Sequence, residues 1–202
     1  AYNELLISFT EDYDLLVRAY DEGIAYRFIT RLGGEIIINS EDAVFNFTFT
    51  PTVYFPECDT NYSGEKDQEG KVHQIHQGYR NFERLYKIYN APTEITNNRF
   101  SVSPVLFSHP DTSYKIVVTE SDTYDYPGLY MEQNGPNSMR GKWAQYPKEV
   151  MDEDPSNPNY WYSNHLVISR ENYIAKTEGN RTFPWRVIIV SDDDKSLLNN
   201  EL

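Results

Sequence analysis

The sequence predicts an all-β fold, a β-sandwich or barrel with few or no helices. Three observations carry this. Short runs rich in β-branched and aromatic residues recur along the chain, several of them alternate apolar with polar positions, and Gly, Pro, Asn and Asp punctuate them. The first two runs, residues 14–20 and 24–30, flank Asp21-Glu22-Gly23 and read as a hairpin in which Gly23 supplies a positive φ. Val17, Ala19, Ile24, Tyr26 and Phe28 occupy the inward positions of a half-buried sheet. Gly33-Gly34 breaks the chain before the runs 35–38 and 44–49. In the latter, Phe45, Phe47 and Phe49 recur at period two and share one face until Pro51 ends the run.

Residues 56–71 read as a polar surface loop, and Asn81 to Ile88 as one or two helical turns. Strand signals return at residues 114–120 and, after the Tyr126-Pro127-Gly128 turn, at 129–132. Asn134-Gly135 is a further turn. The stretch 147–159, with Pro147, Pro155 and Pro158, reads as irregular. The runs 165–169, 173–176 and 185–190 complete a count of about ten short strands. The segment from Ser196 to Leu202 reads as a helix or connection running out of the chain.

Composition narrows the function classes. The chain has 202 residues, 18 Lys+Arg and 31 Asp+Glu, for a net charge of −13. Nucleic acids and anionic membranes need clustered cations, so both are poor partners. With 39% hydrophobic residues, 17 Tyr and 10 Phe, the chain can bury a core. A mean hydropathy of −0.66 and the lack of a long apolar run predict no membrane-spanning helix. Cys58 is the only cysteine, which excludes an intrachain disulfide and a cysteine zinc cluster.

Several constellations carry chemistry. Glu120, Asp122 and Asp125 place three carboxylates at one strand-to-turn corner. Hard cations such as calcium take carboxylate ligands, and Asp also simply stabilises turns. His73 and His76 have helical metal-ligand spacing without the zinc-protease glutamate, so a surface or packing role is favoured. Tyr160-Trp161-Tyr162 form either a stacking platform for sugar rings, which would make a stand-alone carbohydrate-binding sandwich, or a loop tucked against the protein. No nucleophile elbow, phosphate-binding loop or dinucleotide fingerprint is present.

In order and spacing, a set of segments resembles the N-terminal domain of glycoside hydrolase family 97. They are Tyr2-Asn3-Glu4-Leu5, residues 17–28, Thr119-Glu120-Ser121-Asp122, residues 125–130, Ile174-Ala175-Lys176-Thr177 and residues 181–188. The family comprises α-glucosidases and α-galactosidases typical of Bacteroides. The resemblance implies that residues 1–202 are one large β-sandwich of the galactose-mutarotase type. It further implies that this domain packs on a catalytic β/α barrel absent from the chain, with a small C-terminal β-domain also absent. On this reading the chain alone has no catalytic residue and does not hydrolyse glycosides. Glu120 takes the position of a glutamate that the domain lends to an active-site calcium, and Trp185 and Arg186 are structural, near the core or the domain interface. The intact enzyme would act on an α-linked oligosaccharide in the periplasm or outside the cell.

Overall fold

The computed structural model describes residues 1–58, 86–97, 99–152 and 165–200, without the side chains of residues 151, 152, 165, 166 and 168. Among them are fifteen strands: β1 (Tyr2–Ser8), β2 (Tyr13–Tyr20), β3 (Gly23–Ile38), β4 (Val44–Asn46), β5 (Thr52–Phe55), β6 (Lys87–Tyr89), β7 (Ser101–Val102), β8 (Val105–Ser108), β9 (Lys115–Ser121), β10 (Tyr130–Gln133), β11 (Ser138–Lys142), β12 (Pro147–Asp152), β13 (His165–Arg170), β14 (Ala175–Thr182) and β15 (Trp185–Ser191). One α-helix, α1 (Asp194–Leu198), follows, its first turn capped by the Asp193 carboxylate accepting from the Ser196 backbone N–H. The fold is the expected all-β sandwich, with more strands among the described residues than the sequence suggested and one long strand, β3, where it suggested two.

The large sheet runs β1-β2-β3-β15-β9-β8-β5-β6, with β14 paired to the far half of β3. A second sheet runs β4-β11-β10-β7, and β12 pairs with β13. The two larger sheets meet over β5, β8 and β9. There Val53, Phe55, Val105, Phe107 and Val118 pack with Leu129, Met131, Met139 and Trp143. Full burial of each such side chain stabilises by about 1.5–3 kcal/mol. The period-two reading of residues 44–49 holds: Phe45, Phe47 and Phe49 are half-buried and Val44, Asn46 and Thr48 exposed, although only Val44–Asn46 are strand. The Phe47 ring lies 4.7 Å from that of Phe107.

Four sequence expectations are corrected. The β2–β3 hairpin turns on Asp21-Glu22 alone, and Gly23 already pairs with Tyr20. Its φ is positive, at 158°, as the sequence suggested, and a side chain is also excluded because a Cβ would sit 2.1 Å from the Ile188 carbonyl oxygen of β15. Gly33-Gly34 does not end a strand. β3 passes through it as a bulge in which Leu32, Gly33 and Gly34 oppose Gly179 of β14, with Gly34 at φ 70°. The end of the expected 81–88 helix, Lys87-Ile88, falls in strand β6, because Ile88 and Tyr89 pair with Tyr54 and Val53; residues 81–85 lie outside the described residues. Residues 147–152, expected to be irregular, form β12, whose pairing with β13 tolerates Pro147 at its first position.

The smaller sheet covers only part of the large one. Register places Leu5 of β1, Val17 of β2, Tyr26 of β3, Arg186 of β15 and Glu120 of β9 in one row on one face. The β9 side of that face is buried under the second sheet. Towards β1, Leu5, Ile7, Ile24 and Phe28 stand exposed on it. The Arg186–Glu120 pair lies at the boundary between the covered and the open halves.

Candidate functional site

Glu120 is the next-to-last residue of β9, so a rigid, doubly paired strand presents it at the corner. Its carboxylate is turned inward, with 10% of the side chain exposed. Oε1 accepts from the Leu129 backbone N–H at 2.6 Å, and Oε2 accepts from Arg186 Nη1 at 2.8 Å. Gly128 leaves room for this: a Cβ there would lie 3.3 Å from Oε1.

Arg186 crosses from Glu120 to a second carboxylate. Its side chain is 2% exposed, and Nε and Nη2 donate to Glu41 Oε1 and Oε2 at 2.7 and 2.6 Å. This is a bidentate guanidinium–carboxylate pair, the strongest geometry available to arginine. Glu41 is 19% exposed and its Oε2 also accepts from the Tyr126 hydroxyl at 2.9 Å. The Arg186 guanidinium carbon stands 5.2 Å from the Trp143 ring centre and 5.9 Å from that of Tyr126. Glu41 and Arg186 also line a pocket of about 540 Å³ with Tyr26, Phe28, Tyr126 and Phe183, on the open half of the sheet.

Burial sets the electrostatics. It raises the Glu120 carboxyl, while the Leu129 N–H and the Arg186 charge pull it down without cancelling the rise. Burial alone would lower the Arg186 guanidinium, but its hydrogen bond to Glu41 and the two carboxylate charges hold it above its ordinary value. Burial, then the Glu41 charge and hydrogen bond, push the Tyr126 phenol well up. Two carboxylates around one guanidinium leave a net charge of −1 when all three are ionised.

The three carboxylates of the corner do not converge. Asp122 and Asp125 adopt left-handed backbone at φ 64° and 49°, which Asp tolerates in turns. Asp122 faces away from Glu120 across the sheet and accepts from Arg27 at 2.9 Å, while Arg181 donates to the Asp125 and Tyr124 carbonyls at 3.2 and 2.5 Å. Among the described residues no three Asp, Glu, His or Cys side chains group as a metal cage. A carboxylate has about four lone-pair directions. Glu120 uses one on each oxygen, so it fits a cation as one ligand among several. The others would have to come from outside the described residues.

Trp185 and Arg186 are both buried, as their structural reading expects; Trp185 sits between the Arg18 and Arg27 guanidinium groups at 4.7 and 4.3 Å. His73, His76, Tyr160, Trp161 and Tyr162 lie outside the described residues. The sequence reading missed Glu41, whose Ser40-Glu41-Asp42 setting matches no motif. It also placed Glu57 in a surface loop. Glu57 is in fact buried, accepts from Lys87 and from Tyr89 at 2.5 Å, and is ion-paired with Arg99 at 3.2 Å.

Comparison with known proteins agrees with this fold. Residues 1–202 match the glycosyl-hydrolase 97 N-terminal family. A retaining alpha-galactosidase of Bacteroides thetaiotaomicron is 29% identical over 202 residues, covering 100% of this chain and 28% of that protein. A glycoside hydrolase family 97 enzyme from Pseudoalteromonas sp. strain K8 in complex with acarbose aligns at TM-score 0.59 and 14% identity, over 100% of this chain and 29% of that one. A beta-arabinopyranosidase aligns at TM-score 0.54 and 16% identity, over 95% and 27% of the two chains. At such identities the structural likeness speaks for the fold. The chain thus spans under a third of the length of the relatives it matches.

Proposed function

Since the chain belongs to the glycosyl-hydrolase 97 N-terminal family, we propose that it is the non-catalytic N-terminal domain of a secreted or periplasmic, calcium-dependent α-glycosidase. It packs on the catalytic barrel and lends Glu120 to the active-site calcium. The observation that carries this reading is the position of Glu120: an anchored carboxylate at the boundary between the covered core and an open apolar face. The barrel packs against that open half and brings the remaining ligands with it. A retaining alpha-galactosidase among the relatives supports an α-galactoside, and the family's α-glucosidases keep an α-glucoside as the other substrate class.

The chain's own residues hold and orient the ligand. The Leu129 N–H anchors the Glu120 carboxylate through Oε1, so little side-chain entropy remains to be lost when a cation arrives. The net negative charge of the cluster favours a cation. Calcium, when bound, supplies electrophilic assistance beside the acid and base groups of the barrel. Glu120→Gln in the full-length enzyme tests the assignment. Calcium affinity should fall at least tenfold by titration calorimetry, with turnover falling in step; unchanged affinity and turnover would remove Glu120 from the metal.

A further inference from the structure

Glu41 belongs to no strand and is no part of the calcium assignment, yet it takes the larger share of Arg186. The guanidinium presents its donors in a fixed planar fork. The Nε and Nη2 edge goes to Glu41 at 2.7 and 2.6 Å, and only Nη1, at 2.8 Å, reaches Glu120. Glu41 is itself held by the Tyr126 hydroxyl at 2.9 Å, from the turn between β9 and β10. So the buried cation beside Glu120 has its own counter-charge, and its fork is turned away from Glu120.

Without Glu41 the balance changes in two ways. Glu120 and Arg186 would form a neutral pair, and the net charge at the corner would go from −1 to 0. The freed Nε–Nη2 edge could also rotate onto Glu120 and occupy the lone pairs that a metal needs.

We propose that Glu41 is a positioning residue for Glu120: by clamping Arg186 bidentately it keeps the Glu120 carboxylate available to a cation and the corner net negative. This rests on the calcium reading above. It adds a residue that touches neither metal nor substrate and acts through Arg186.

The test is calorimetric titration of the full-length protein with calcium alone, comparing wild type, Glu41→Gln, Glu41→Asp, the double variant Glu41→Gln/Arg186→Met, and Glu120→Gln. Glu41→Gln should raise Kd about tenfold, and Glu41→Asp, which keeps the charge, should stay within about threefold of wild type. The double variant should recover a Kd within about threefold of wild type, because the cation that Glu41 restrained is gone. A purely structural role would lower the melting temperature of calcium-free Glu41→Gln and leave its Kd unchanged. That result overturns the proposal, and so does a double variant that binds tenfold more weakly than wild type. The double variant, with no unmatched buried guanidinium, decides the matter if Glu41→Gln alone does not fold. If Glu120→Gln weakens calcium while Glu41→Gln and the double variant match wild type, only the role of Glu41 falls. If Glu120→Gln leaves Kd unchanged, the calcium reading itself falls.

Discussion

Glu120 and Glu57 are largely buried carboxylates, and neither is bare. Glu120 shares Arg186 with Glu41, and Glu57 gathers Lys87, Arg99 and Tyr89. A buried charge is tolerated only with such partners. The Tyr89 phenol registers its environment: burial first, then its hydrogen bond to Glu57, push it up to about 12. A group raised in the folded state contributes stability that is complete below its unfolded value near 10.0 and is lost as pH rises through the folded one. Stability should therefore fall between about pH 10 and 12. In Glu57→Gln the Tyr89 resonance, followed by isotope-labelled tyrosine NMR and assigned with Tyr89→Phe, should titrate at lower pH than in wild type. It should stay above 10.0, because the burial remains. An unmoved titration would mean that Glu57 contributes nothing to the shift.

The strands themselves were legible in the sequence wherever the side-chain period was two. The Phe45, Phe47, Phe49 alternation turns one face inward as it reads, though only Val44–Asn46 are strand, and the run read at 114–120 is the strand Lys115–Ser121. What was not legible depends on neighbours distant in the chain. Gly33-Gly34 looks like a terminator until Gly179 is placed opposite it, and Lys87-Ile88 looks helical until β5 lies alongside. Glu57 looked like loop because its cationic partners are a strand or more away. Glu120 stood out only through its resemblance-bearing motif, and Glu41 had no local signal because its partner is 145 residues on. Gly23 belongs to this class, and its requirement can be measured. In Gly23→Ala the Cβ would meet the Ile188 carbonyl oxygen at 2.1 Å, so β3 and β15 must separate locally. The expected cost is about 2–3 kcal/mol, read as a lower denaturant midpoint with an unchanged slope. A loss below about 0.5 kcal/mol would show that the strands yield freely at this point.

At the scale of the whole molecule, the second sheet stops short among the described residues, and the row that holds Glu120 and Arg186 continues into exposed apolar surface at β3, β2 and β1. An exposed contiguous apolar face of this kind marks an interaction site, whereas scattered apolar residues do not. The opposite face of the same strands provides the control. Ile24 lies on the Arg186 face and is 45% exposed; Leu6 lies on the other face and is 53% exposed. If both stayed in water, a carboxylate at either position would cost less than about 0.5 kcal/mol. If the proposed barrel covers the Arg186 face, Ile24→Glu forces an unpaired charge into an apolar contact, at a cost of about 3 kcal/mol, while Leu6→Glu remains nearly neutral. Differential scanning calorimetry of the full-length protein should thus give a markedly lower first transition for Ile24→Glu than for Leu6→Glu. Equal, small shifts would mean that the barrel leaves this half of the sheet uncovered. Glu120 would then stand beside open solvent, with no surface nearby to bring the other ligands of the proposed calcium to it.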